Sequence, residues 1–186
     1  GNLKRSQRRK LQFSLRLLFV CVTLLIIPLG FAVESVHRQR RAVETIERIG
    51  GRVYYKHDVA QLVAFPKPPG PRWIKMILGD DFFSTVHSVD LQRVSIDSHT
   101  ISAINGFKEL HGLYISEAEI DDSVLRRLKS PVRTLAIGNT PVSDAGMAGV
   151  ANCHQLHNLS LYGTNVGDEG IKTISTLEQI GWIDLK

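Results

Sequence analysis

The sequence predicts an α/β solenoid of stacked strands and helical arms, preceded by a single transmembrane helix. Two observations carry this reading. Residues of matched type recur at a spacing of 24 through the C-terminal half. A run of 17 uncharged residues, 17–33, stands between Arg16 and Glu34. Charge divides the chain in the same way. Residues 1–56 hold 12 Lys/Arg against 3 acids, a balance of +9, while residues 57–186 hold 11 against 15, a balance of −4. Basicity therefore belongs to the N-terminus, and the acidic repeats give nucleic acid no footprint.

Residues 1–16 form a basic tail. The apolar run 17–33, extended by Leu11, Phe13, Leu15 and a snorkelling Arg16, approaches the roughly 20 residues that span a bilayer. It is longer than the apolar region of a signal peptide, about 7–15 residues, and Gly30-Phe31-Ala32 is a weak cleavage site. Six basic residues precede it (Lys4, Arg5, Arg8, Arg9, Lys10 and Arg16) and four follow (Arg38, Arg40, Arg41 and Arg48). That count leans to a cytoplasmic N-terminus with the repeats outside the cytoplasm. Residues 34–51 read as a helix leaving the bilayer, with Val36, Val43, Ile46 and Ile49 near one stripe and Gly50-Gly51 as its stop.

Residues 52–85 are expected to cap the solenoid, because a repeat stack exposes its core at each end. Val53-Tyr54-Tyr55 suggests a short strand. Pro66, Pro68, Pro69 and Pro71 make a stiff loop, and Trp73, Ile77, Phe82 and Phe83 supply covering bulk. A second membrane contact through Trp73 is the competing use of this segment.

Residues 86–186 hold four repeats and the first strand of a fifth. Leu156, Leu159 and Leu161 are matched 24 residues later by Ile180, Ile183 and Leu185. Val132, Leu135 and Ile137 precede them by the same interval, and the second repeat is shortened to 22 residues at Lys129-Ser130-Pro131. Alternation at L-x-L buries one face of a strand at 89–91, 113–115, 135–137, 159–161 and 183–185. Three-residue steps such as Ile171, Ile174 and Leu177 bury one face of a helical arm, near 122–129, 144–150 and 168–176. Asp122, Asp144 and Asp168 stand at the starts of these arms, where a carboxylate caps free N–H groups. The chain ends on a strand at Lys186 and begins with Gly1, which suggests a fragment of a longer protein or a partner covering the open edge.

The pattern L-x-x-L-x-L-x-x-T-x-V-x-D-x-G-L resembles the leucine-rich repeat family, closest to its cysteine-containing and ribonuclease-inhibitor-like classes. The basic N-terminus, G-G-x-V-Y-Y, the proline-rich turn and W-I-x-x-x-L-G-D-D-F-F look like a bacterial group of membrane-anchored members. The resemblance implies a right-handed horseshoe with parallel strands on its concave face and helices on its convex face, places Thr140 and Thr164 where such repeats bond the neighbouring coil's backbone, and implies the anchor but no particular activity.

Chemistry is sparse. No P-loop, H-E-x-x-H, G-x-S-x-G or paired-cysteine spacing occurs, so the reading is a non-enzyme without cofactor or metal. Cys21 falls in the span and Cys153 in a buried repeat position. His87, His111, Arg133 and His157 share one column just before the strands; Arg133 argues against a metal there, which leaves solvated histidines. Binding is assigned to the concave face, at Asp90, Tyr114, Ser116, Thr134, Asn158, Tyr162, Trp182 and Asp184. Exposed aromatics favour binding hot spots. Ala136 and Gly138 between the two tyrosines suggest a shallow trough for a protein or peptide, and Asp90 and Asp184 favour a ligand with positive charge. The alternative is an assembly segment that stacks through the edge at 183–185.

Overall fold

The computed structural model describes residues 15–56 and 85–185. Most of the basic tail, the proline-rich loop, the expected capping residues Trp73, Ile77, Phe82 and Phe83, and Lys186 lie outside them. Two compact units divide the chain, Gly1–Ser35 and Val36–Lys186. Helix α1 (Leu15–Arg48) enters both.

The expected transmembrane helix is overturned. Among the described residues, no helix is long and apolar enough to cross a membrane. The physical reason lies in the rise of the helix. Seventeen uncharged residues cover about 25 Å at about 1.5 Å each, short of a hydrocarbon core of about 30 Å. Leu11 and Phe13, which were to lengthen the run, lie outside the described residues. Beyond Ser35 α1 is charged, carrying Arg38, Arg40, Arg41, Glu44, Glu47 and Arg48. The single-pass location, and the orientation that rested on it, fall with the span.

Unit Val36–Lys186 is an α/β structure built on a six-stranded sheet in sequential order. The strands are β1 (Arg52–Tyr55), β2 (Val86–Asp90), β3 (Gly112–Tyr114), β4 (Thr134–Ala136), β5 (Asn158–Ser160) and β6 (Trp182–Asp184). β1 pairs antiparallel with β2, and every later pair is parallel. From β3 onward each strand begins one residue before the position that alternation suggested. Register runs straight across the sheet: Val89, Leu113, Leu135, Leu159 and Ile183 stand side by side. The first four are fully buried, each contributing roughly 1.5–3 kcal/mol by leaving water. Behind them lie Ile101 and Ile104 of α2 (Ser98–Ile104), Leu125 of α3 (Asp122–Leu125), Met147 and Val150 of α4 (Met147–Val150), and Ile174 of α5 (Asp168–Ile174).

The N-terminal end of this core is covered by α1 itself. Ala42, Val43 and Ile46 are buried in the cluster, with Ile49 and Val53 packed beside them. Residues 34–51 were expected to lead away from a bilayer; Ala42, Val43 and Ile46 among them cover this end of the core instead. Gly51 is needed at the junction. A Cβ there would meet Ile46 Cγ2 at 2.8 Å and overlap Leu91 Cδ2.

The polar punctuation differs from the expected one by a single position. Asp97 caps α2, accepting from Thr100 N at 2.8 Å, and Asp121 caps α3, accepting from Val124 N at 2.8 Å. Those hydrogen bonds hold both carboxyls below their ordinary range, Asp97 chiefly through Thr100 N–H and Asp121 chiefly through the Ser123 hydroxyl. Asp122 and Asp144, expected as caps, instead reach the next coil. Asp122 accepts from Ser143 N at 2.8 Å and from Ser143 Oγ at 2.6 Å, and Asp144 accepts from Gly167 N at 2.6 Å. The threonines behave in the opposite way. Thr140 Oγ1 donates to Ile137 O and Thr164 Oγ1 to Leu161 O, each within its own turn. Asn105 adds another tie between coils, donating to Arg127 O and accepting from Lys129 N, both at 2.7 Å.

Candidate functional site

The open face of the sheet carries two rows of residues set by register. The first is Ser88, Gly112, Thr134, Asn158 and Trp182; the second is Asp90, Tyr114, Ala136, Ser160 and Asp184. Just before the first row stands the column His87, His111, Arg133 and His157. Backbone bonds tie its members together: His111 N–H donates to His87 O at 2.7 Å, Arg133 N–H to His111 O at 2.9 Å, and His157 N–H to Arg133 O at 2.8 Å. Neighbouring members are therefore about one strand spacing apart, roughly 4.8 Å.

These rows meet in a hollow of about 340 Å³, lined by the four column residues together with Ser88, Gly112, Tyr114, Thr134 and Asn158. Among the described residues no carboxylate lines it. The His87 and His111 rings stack with centroids 4.5 Å apart and planes 21° apart. Burial, then the neighbouring charges of His111 and Lys56, lower the pKa of His87 below its ordinary value. His111 Nδ1 lies 3.4 Å from Glu109 O and His157 Nδ1 2.7 Å from Gln155 O. A carbonyl oxygen only accepts, so in both rings Nδ1–H is the donor. Asn158 Nδ2 donates to Thr134 Oγ1 at 3.4 Å, which orders two polar groups in the hollow.

Of the eight residues assigned to binding, Tyr114, Thr134 and Asn158 come together at the hollow. Tyr114 leans back along its own strand: a Cβ on Gly112 would meet its Cε2 at 3.0 Å and its hydroxyl at 3.1 Å. Asp90 lies in the second row and accepts from Gln92 N at 3.1 Å, while Asp184 stands at the far end of that row. Trp182, 53% exposed, sits on β6 beyond the hollow. Ser116 departs from the expectation. It is 7% exposed and offers little surface to a partner.

Tyr162 departs too. Its ring lies over Gly138, where any Cβ would overlap it, and its hydroxyl accepts from Asn139 Nδ2 at 3.3 Å. The trough expected at Gly138 is therefore filled by Tyr162 itself. The column was legible from the repeat spacing, but the hollow that it shares with Ser88, Gly112 and Tyr114 was not. The available signal was a run of cationic or titratable side chains without an acid.

A dedicated metal centre has no support: among the described residues no group of three or more His, Cys, Asp or Glu could hold an ion. No family model matches the chain, and no curated protein matches it.

Proposed function

We propose that the chain is a leucine-rich repeat binding module, without enzymatic activity, that holds a protein or peptide segment across the open face of its parallel sheet. The observation that carries this reading is the hollow itself, in which hydroxyl, amide, phenol and basic side chains from four consecutive strands converge. A segment laid across strands meets one new side chain about every 4.8 Å, which suits an extended polypeptide. Cys153, one possible nucleophile, supports a binding role over catalysis: it is fully buried, and burial pushes its thiol up to about 12.

The test is a peptide-display selection on the full chain, followed by affinity measurements with the selected peptides. Tyr114→Ala combined with Asn158→Ala should weaken binding by at least about 2 kcal/mol while leaving the fold intact. Ala148→Arg, on the exposed side of α4, should leave it unchanged. Equal affinity for both variants would remove the sheet face from consideration.

A second reading is favoured by one observation. Trp182, Ile183 and Leu185 are exposed along β6, an arrangement that suits stacking on further repeats or on a second copy. A molecular mass that rises with concentration, and stays low in Trp182→Lys, would support it.

A further inference from the structure

We propose that the hollow beneath His87, His111, Arg133 and His157 is an oxyanion-binding site, which takes the carboxylate or phosphate groups of an anionic peptide segment. The ligand class follows from the side chains present; its delivery on a peptide rests on the binding-module reading above. Ligand charge is thereby the reverse of what Asp90 and Asp184 suggested. Those two carboxylates stand at opposite ends of the second row, Asp90 beside Tyr114, and neither lines the hollow.

The first argument is chemical. Arg133 is permanently charged, and its planar guanidinium presents paired donors that match two oxygens of a carboxylate or phosphate. Ser88, Thr134, Asn158 and Tyr114 add neutral donors around it. A cation is disfavoured by the same set, since Arg133 stands between the histidine pair and His157. With neighbours about 4.8 Å apart, the four basic groups extend for roughly 14 Å along the rim, enough for a segment with more than one acidic group.

The second argument concerns protons. Lys56 and His111 face His87, one from each flanking side, and both disfavour its charged form. His111 and His157 each anchor Nδ1 on a backbone carbonyl. On the remaining sides His157 has Arg133 in the preceding coil and Gly181 in the following one. No carboxylate of the described residues lines the hollow to balance these groups. An oxyanion would supply the missing counter-charge, favouring the charged form of His87 and taking up a proton as it binds. Affinity must then rise as pH falls through the ordinary histidine range.

The experiment is calorimetric titration of the full chain with inorganic phosphate, a Glu-rich peptide, a phosphoserine peptide and a Lys-rich peptide, at about pH 5.5 and about pH 7.5. Anionic ligands should bind more tightly at the lower pH, with net proton uptake, and the Lys-rich peptide should not compete. Arg133→Gln should weaken anion binding on the order of tenfold at both pH values, with Arg133→Lys between the two. Replacing His87, His111 and His157 together with Gln should remove the pH dependence, whereas His154→Gln, exposed and outside the column, should change nothing. Circular dichroism establishes that each variant is folded. The Glu-rich and phosphoserine arms separate a carboxylate from a phosphate ligand. Phosphate binding that depends on Arg133, with no binding of either anionic peptide, would uphold the oxyanion site and sink the peptide reading. No binding of any anion, or binding indifferent to Arg133, would overturn the proposal.

Discussion

Gly149→Ala sets local helix propensity against coil packing, and the two predict opposite signs. Gly149 lies in α4, where replacing Gly with Ala is worth about 1 kcal/mol of added stability on propensity alone. The neighbouring coil forbids it. A Cβ at this position would fall on the carbonyl oxygen of Leu125 and within 2.8 Å of both Leu125 C and Arg126 Cα. Carbon atoms pack best at about 3.5–4.0 Å, so the coils would have to part by about 1 Å. The obstacle is backbone, which cannot rotate aside, and parting would loosen Leu125 and Val150, both fully buried. Overpacking of this kind costs typically about 1–3 kcal/mol. Taking the upper end and subtracting the propensity gain leaves a net loss of about 2 kcal/mol. Urea unfolding followed by circular dichroism reads it as a lower midpoint. Gly181→Ala is the control, because its Cβ would find nothing closer than His157 O at 4.0 Å; its effect should stay within about 0.5 kcal/mol. A Gly149→Ala protein more stable than the parent would refute the close approach of these coils.

Two other outcomes follow from the polar ties. Asp122→Ala removes two part-buried bonds to Ser143 and should cost about 1–3 kcal/mol, whereas exposed Asp168→Ala, two repeats on, should cost under about 1 kcal/mol; equal losses in urea unfolding would undo the ladder between coils. The capping carboxyls of Asp97 and Asp121 are depressed from an ordinary value of 3.8, so their contribution is complete above that value and is lost as pH falls through the lower folded-state values. Stability measured in the acid range below about pH 4 should therefore fall less steeply in Asp97→Asn/Asp121→Asn than in the parent, because Asn still caps but does not titrate.

The strand rows and helical arms were legible because burial at Leu113, Leu135 and Leu159 imposes a fixed spacing on the sequence. Relations across coils were not. Asp121 and Asp122 are adjacent, and periodicity cannot tell which one caps its own helix and which one reaches Ser143. The turn after each strand places a residue at positive φ, namely Arg93, Glu117, Asn139 and Gly163, and only the last is the glycine that would announce it. Tyr162 folding over Gly138 depends on how two neighbouring turns are aimed, which no single repeat records. The membrane reading failed for a different reason. Its apolar run was close to the required length, and the decision turned on a few residues at each end. In the candidate site, Tyr114, Thr134 and Asn158 could be placed from alternation, while Ser116 was taken as exposed when its surroundings bury it.

If ligands are held on the open sheet face, they meet Ser88 of β2 and the first residues of β3, β4 and β5. Amide chemical-shift mapping of the labelled full chain during titration with a Glu-rich peptide tests it most directly. The largest shifts should fall at Ser88, Gly112, Thr134 and Asn158, with the His111 and His157 rings moving at the same peptide concentrations. Shifts centred on the helical side, at Ser102, Ala148 and Lys172, or confined to β6, would contradict it.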